Sequence, residues 1–284
     1  MKHTLSTDLA YAEMEDDLDF LAPFRSRFFF PQHHDEDAVY LCGNSLGLQP
    51  RSASFLFQKE LDDWAKWGVE GHFNAHNPWV SYHKDFSEPL SKIVGALPHE
   101  VVAMNTLTVN LHLLLLSFYK PQKDGRYKII MEAGAFPSDQ YAIETQVKMY
   151  GLNPDEAIIE LKPRTGEHLL RTEDICAAIA EHADTLACVM MGGVNYYTGQ
   201  YYALEAITKA GHEAGAIVGF DLAHAAGNVP LKLHEWNVDF ACWCSYKYLN
   251  AGPGGVAAIY VHEQHASNPE TFRLAGWWGN EQDT

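Results

Sequence analysis

Residues 216–255 read AIVGFDLAHAAGNVPLKLHEWNVDFACWCSYKYLNAGPGG. Two apolar runs, AIVGF and VDFACW, each stop near a charged residue, Asp221 after the first and Lys247 after the second. Short apolar runs bounded by small residues and turn formers read as buried strands. A lysine at the end of such a strand is costly, because desolvation disfavours an ammonium, and the same cost makes the neutral, nucleophilic amine accessible. Two roles fit Lys247 on this stretch alone. Its stem can lie on apolar surface with the head in water, or it can be the nucleophile of a site. Asp221 poses the matching question, since a buried carboxylate needs a cation, either Lys247 in a plain ion pair or the charged group of a ligand.

Upstream, strands and helices alternate. YKIIME (127–132) is an apolar strand, PSDQYAIETQVKMYG (137–151) a helix closed by Gly151, and EAIIELKP (156–163) a second strand. RTEDICAAIAEHA (171–183) predicts a helix with Thr172 as N-cap and acidic residues in its first turn. The strand TLACVMMGG (185–193) and the helix ALEAITKAGHEAG (203–215) lead into the opening stretch. This order implies an α/β fold, a mainly parallel central sheet with helices on both faces. Such sheets bind ligands in the loops at the carboxyl ends of their strands. Those loops are AGAFPSD (133–139), GGVNYYTG (192–199), DLAHAAG (221–227) and SYKYLNAG (245–252), all rich in small residues and all carrying polar or aromatic side chains. The first hundred residues are less regular, and HHDED (33–37) reads as a solvated turn.

The 284 residues are 47% hydrophobic and 20% charged, the balance of a folded chain of one large or two ordinary domains. A net charge of −17 argues against nucleic acid or an anionic membrane as partner. The acidic N-terminus has no apolar core of signal-peptide length, and the longest apolar run, LHLLLLSFY (111–119), is too short to span a bilayer and reads as a buried helix. These features, with five cysteines in no repeating frame, point to a reducing, cytoplasmic setting. Cys242 and Cys244 form a C-x-C with no second pair at ligand spacing, so they read as core cysteines and no metal is expected. Neither G-x-G-x-x-G after a strand nor G-x-x-x-x-G-K-[ST] occurs. A phosphate has another candidate seat, the helix that opens at NTLTVN (105–110), where Thr106 and Thr108 accompany unsatisfied backbone N–H groups. A threonine there also serves as a simple N-cap.

An Asp221-x-x-His224 strand end followed by Ser245-Tyr246-Lys247 resembles the aminotransferase class-V group of fold-type I pyridoxal phosphate enzymes. Within that group YLCGNSLGLQP (40–50), NTLTVNLHLLLLSFY (105–119), FPSDQYAIETQ (136–146), YYTGQ (196–200), the stretch 219–255 and GWWG (276–279) are similar, in order, to the kynureninase family. The similarity runs from about residue 20 to the C-terminus. It implies hydrolysis of L-kynurenine, and of its 3-hydroxy form, to anthranilate or 3-hydroxyanthranilate and L-alanine, in tryptophan catabolism and NAD biosynthesis. Carried over residue by residue, it makes Lys247 the lysine that binds pyridoxal 5'-phosphate and then acts as base, and Asp221 the partner of the pyridine nitrogen. Leu107, Thr108, Tyr246 and Trp277 fall where the family holds the phosphate, Trp277 across a homodimer interface. Phe136 falls where it stacks the ring, Asp139 and His224 elsewhere in the cofactor pocket, and Ser45 and His72 on the substrate side. Tyr246 is also the first candidate for a proton relay. His72 has a plain reading too, as the end of an aromatic-rich helix, WAKWGVEGH (64–72). Residues 1–75 are expected to contribute to the substrate side and a small domain, 76–284 to form the large cofactor-binding domain, and the rest of the small domain to lie beyond Thr284. The rival readings are a cysteine desulfurase-like lyase, which needs a mobile loop cysteine, and a catalytically silent homologue.

Overall fold

Alternate residues of the central strands enter two different cores, as a period of two requires of a sheet covered on both faces. The computed structural model describes residues 5–266, 268–274 and 276. Its elements are α1 (Leu9–Leu18), a hairpin of β1 (Gln32–His33) and β2 (Glu36–Asp37), α2 (Ala53–Trp67), α3 (Gly71–Asn74), α4 (Ser87–Val94), β3 (Val101–Ala103) and α5 (Leu107–Phe118). There follow β4 (Lys128–Glu132), α6 (Pro137–Met149), α7 (Pro154–Ala157), β5 (Ile158–Leu161), α8 (Thr172–Glu181), β6 (Leu186–Gly192), α9 (Leu204–Glu213), β7 (Ile217–Asp221), β8 (Phe240–Trp243) and β9 (Ala258–Val261).

Seven strands form one sheet in the order β3-β9-β8-β7-β6-β4-β5. The run from β5 to β8 is parallel, as the alternating pattern predicts, while β9 lies antiparallel to β8 and β3 antiparallel to β9. Ile130, Val189, Met191, Val218, Phe220, Ala241 and Trp243 face the core roofed by α8 and α9, with Ile175, Ile179, Leu204 and Ile207. Ile129, Met131, Cys188, Met190, Phe240 and Cys242 face the other, with Leu111, Leu115 and Phe118 of α5 and Ile143 and Val147 of α6. Burying each large side chain of this kind contributes about 1.5–3 kcal/mol. The run at 111–119 is the buried helix expected, and Cys242 and Cys244 are buried free thiols.

From β4 the chain goes outward to β5 and then returns to β6 on the other side, so the sheet's order reverses between β4 and β6. The crevice at such a reversal is where ligands bind. One local expectation is corrected. Arg171, not Thr172, is the extended N-cap of α8, and Thr172 is its first helical residue. Arg171 is held there by its paired hydrogen bonds to Glu167. Gly151 closes α6 with φ +70°, and HHDED, read as a solvated turn, is exposed but forms the β1–β2 hairpin, with only His34 and Asp35, both at positive φ, in its turn. Neither α1 nor α2 buries a residue. No helix among the described residues is long and apolar enough to cross a membrane.

Candidate active site

A cleft of about 250 Å³ opens at the carboxyl edge of the sheet, at the reversal point. Strand ends supply its floor: Glu132 from β4, Gly192 from β6 and Asp221 from β7. The turn after β8 adds Cys244, Tyr246 and Lys247, the loop into α6 adds Phe136, Ser138 and Asp139, and the start of α5 adds Thr106 to Thr108. The lysine turn closes on itself through the Ala251 N–H to Ser245 O, with Asn250 at φ 57°. Segment 46–48 clamps it from outside: the Gly47 N–H donates to Tyr246 O at 2.8 Å and the Asn250 amide to Leu48 O at 2.9 Å. The GNSLG motif is thereby tied to the lysine turn although about 200 residues separate them.

Lys247 is only 8% exposed, and it does not pair with Asp221. Its ammonium donates instead to His224 Nε2 at 2.9 Å and stands 5.7 Å from the centre of the Phe136 ring. Burial, with the nearby ammonium, pushes His224 down to about 4, so the imidazole is neutral and its Nε2 is free to accept. Asp221 and Asp139 touch through their side chains, and burial raises both. The Ala223 N–H, 2.6 Å from Asp221 Oδ1, stabilises charge on Asp221, so the shared proton belongs to Asp139. Burial likewise pushes Glu132 up to about 7. The Tyr246 phenol, half-buried and against Cys244, is pushed up to about 12 and holds its proton at neutral pH.

The other end of the cleft is the N-terminus of α5, which carries the partial positive charge of a helix start. Thr106 is the N-cap of α5, yet its hydroxyl caps nothing, and the first turn holds no acidic residue. Thr106, Leu107 and Thr108 line the cleft, and the free N–H groups of this turn could hold an anion there.

The cleft gathers Leu107, Thr108, Phe136, Asp139, Asp221, His224, Tyr246 and Lys247. Ser45 and His72 do not line it. Ser45 is exposed in the clamped GNSLG turn, and His72 is an exposed residue of α3 with its ring edge-on to Trp79. Trp277 lies outside the described residues. Sequence reading passed over Glu132, Ser138, Tyr196 and Cys244. The signal for Glu132 was present, an acidic residue closing an apolar strand just as Asp221 does. Cys244 has a thiol raised by burial, which suits a wall and not a nucleophile.

The family model for aminotransferase class-V matches residues 40–279. The chain belongs to the aminotransferase class-V family. Within it, the chain is 54% identical to the kynureninase of Flavobacterium johnsoniae, over 99% of its own length and 66% of that protein. It is 50% identical to the kynureninase of Nematostella vectensis, over 96% of its length and 61% of that protein. The chain thus spans a little under two thirds of the curated relatives it matches. Among solved structures, the apo cysteine desulfurase of Thermococcus onnurineus NA1 superposes with a TM-score of 0.60 at 17% identity, covering 86% of this chain and 60% of that one. The cystine C-S lyase C-DES superposes at 0.63 with 18% identity, covering 79% and 57%. At that identity the likeness is one of fold alone.

Proposed function

We propose that this chain carries the pyridoxal phosphate site of a kynureninase, which hydrolyses L-kynurenine to anthranilate and L-alanine. The observation that carries the reading is the buried Lys247, unpaired with Asp221 and aimed across the cleft between Phe136 and His224. The donor set fits the cofactor. Asp221 offers a charged carboxylate to a ring nitrogen, Phe136 a face for the ring, and the start of α5 with Leu107 and Thr108 a seat for the phosphate. Bound there, the cofactor supplies an electron sink for charge developing on an amino acid.

The chain's own groups do the rest. Lys247 Nζ would hold the cofactor covalently and, as a free amine, would take the proton from the substrate Cα, because it stands where the substrate's own amine would be held. His224 Nε2, neutral, keeps Nζ aimed at the cleft. Asp139 holds the proton that leaves Asp221 charged. Tyr246 Oη keeps its proton until a strong base forms near it, which suits a donor to Cβ, the carbon that stays with the alanine part when its bond to the aroyl carbon is broken by water. Ser45 and His72 belong to the substrate side in this reading, and Trp277 to the phosphate. A homodimer with the cleft at its interface belongs to it as well, supported by the exposed Phe55, Phe57 and Trp64 of α2. A desulfurase finds less support, because Cys244, the cysteine that lines the cleft among the described residues, has its thiol raised by burial.

The test is product analysis of the purified protein with pyridoxal phosphate and L-kynurenine, with borohydride reduction and peptide mapping alongside. Equimolar anthranilate and alanine, with the label on Lys247, are expected. A label on another lysine, or sulfur release from cysteine in place of anthranilate, overturns the reading.

A further inference from the structure

Glu132 is a buried carboxyl in the cleft wall that the roles above leave unused. It closes β4, and both of its carboxylate oxygens accept one backbone N–H, that of Gly192, at 3.1 and 3.2 Å. Gly192 stands in register opposite Asp221 on the neighbouring strand, and the next N–H, of Gly193, donates to Asp221 O at 2.7 Å. The strand end that Glu132 grips is thus the one bonded to Asp221. A methyl at position 192 would come within 2.8 Å of Glu132 Oε1, so glycine is what lets the carboxyl lie on the backbone.

A purely structural carboxylate at such depth would gather several donors. Glu132 has only backbone N–H groups, its own and that of Gly192, and its neighbours are mostly acidic. Asp139 from α6 and Asp221 from β7 face the same cleft, with Lys247 and the neutral His224 on the far wall and the Tyr202 phenol behind. Burial, aided by the charge on Asp221, moves its titration to about 7.

We propose that Glu132 is a positioning residue for the ring-binding carboxylate: it fixes the strand end beside Asp221 and, by its own charge, sets the field in which Asp221 meets the cofactor's ring nitrogen. This rests on the reading of the cleft as a pyridoxal phosphate site. Ionised, Glu132 adds negative charge behind Asp221 and strengthens its hold on a protonated ring. Neutral, it leaves Asp221 to act alone.

The test compares the parent, Glu132→Gln and Gly192→Ala by titrating the visible absorption band of bound pyridoxal phosphate against pH. Glu132→Gln keeps an acceptor for the Gly192 N–H and loses the charge. The parent band should show a transition near pH 7, the glutamine variant should lack it and stay in the parent's low-pH form, and its cofactor dissociation constant at about pH 8 should rise roughly tenfold, one pK unit of lost interaction. Gly192→Ala, which displaces the carboxyl without changing charge, should move the transition. It also carries the test if Glu132→Gln does not fold by circular dichroism. A folded Glu132→Gln whose titration and affinity match the parent's overturns the proposal while leaving the cofactor site intact. A parent that takes up no pyridoxal phosphate at any pH is a different result, and it overturns the site reading and this proposal together.

Discussion

Asp239, just before β8, and Asp221, at the end of β7, are buried to a similar degree, 2% and 7% exposed, at opposite edges of one sheet. Asp239 Oδ2 accepts from the Val218 N–H at 2.7 Å and His212 Nε2 at 2.8 Å, and its Oδ1 from His265 Nε2 at 2.7 Å and Gln264 Nε2 at 3.2 Å. Glu100, before β3 on the same edge, collects the Leu97 and Glu263 N–H groups and His234 Nδ1. Burial works against ionisation at both, yet these donors outweigh it and hold the two carboxyls below their usual range. At the cleft edge the same burial meets few donors, and Glu132, Asp139 and Asp221 are all raised. Depth alone therefore does not set the state of a buried acid; the number of donors aimed at it does. One edge is satisfied and holds the sheet together, whereas the other is left short of positive charge, which a cationic ring would supply.

Three experiments bear on that contrast. Asp221→Ala removes the group proposed to hold the ring nitrogen charged, and turnover should fall by about 10²–10⁴, the span of well-placed acid–base groups, with little change in the melting temperature. Activity within a few-fold of the parent would erase the distinction between the edges. Asp239→Ala should do the reverse, costing about 3–5 kcal/mol because it strands His212, His265 and the Val218 N–H. Urea denaturation of the cofactor-free protein measures this, and a loss no larger than that of Asp221→Ala would break the comparison. The smallest effect concerns pH. The hydrogen bond to Asp239 raises His212 above its ordinary 6.5, so the folded chain binds this proton more tightly than the unfolded one. Its stabilisation is complete below about 6.5 and is lost as pH rises through the raised value. Asp239 and Glu100, held low, contribute above the ordinary carboxylate range, near 4, and their share is lost on acidification through their lowered values. His212→Ala should cost about 1 kcal/mol at pH 6, modest for a partly exposed partner, and should flatten the stability profile above 6.5. An unchanged profile would mean that the pair is worth little in solution.

Much of the cleft was legible because its chemistry lies at strand ends, where an apolar run stops at a residue that has no business in a core. Asp221 and Lys247 announced themselves that way. Glu132 ends YKIIME by the same rule and was passed over, since a lone acid at a strand end also fits a solvated turn; what separates the two is Gly192, 60 residues away. The strands β3 and β9 were missed because runs of three and four residues carry no period of their own and exist only by pairing with each other and, for β9, with β8.

The sequence by itself determined the alternation of strands and helices, the two-sided core and the strand ends at which charged residues gather, because periodicity and burial act over a few neighbouring residues. It also carried the family, in motifs that stay contiguous along the chain. Only the tertiary structure decided that Lys247 meets His224 and not Asp221, that the GNSLG turn clamps the lysine turn, and which buried acids are satisfied and which are not. Those outcomes depend on which groups long-range packing places within about 3 Å of each other, and hydrogen bonds and buried charges respond to that spacing far more steeply than any local pattern records.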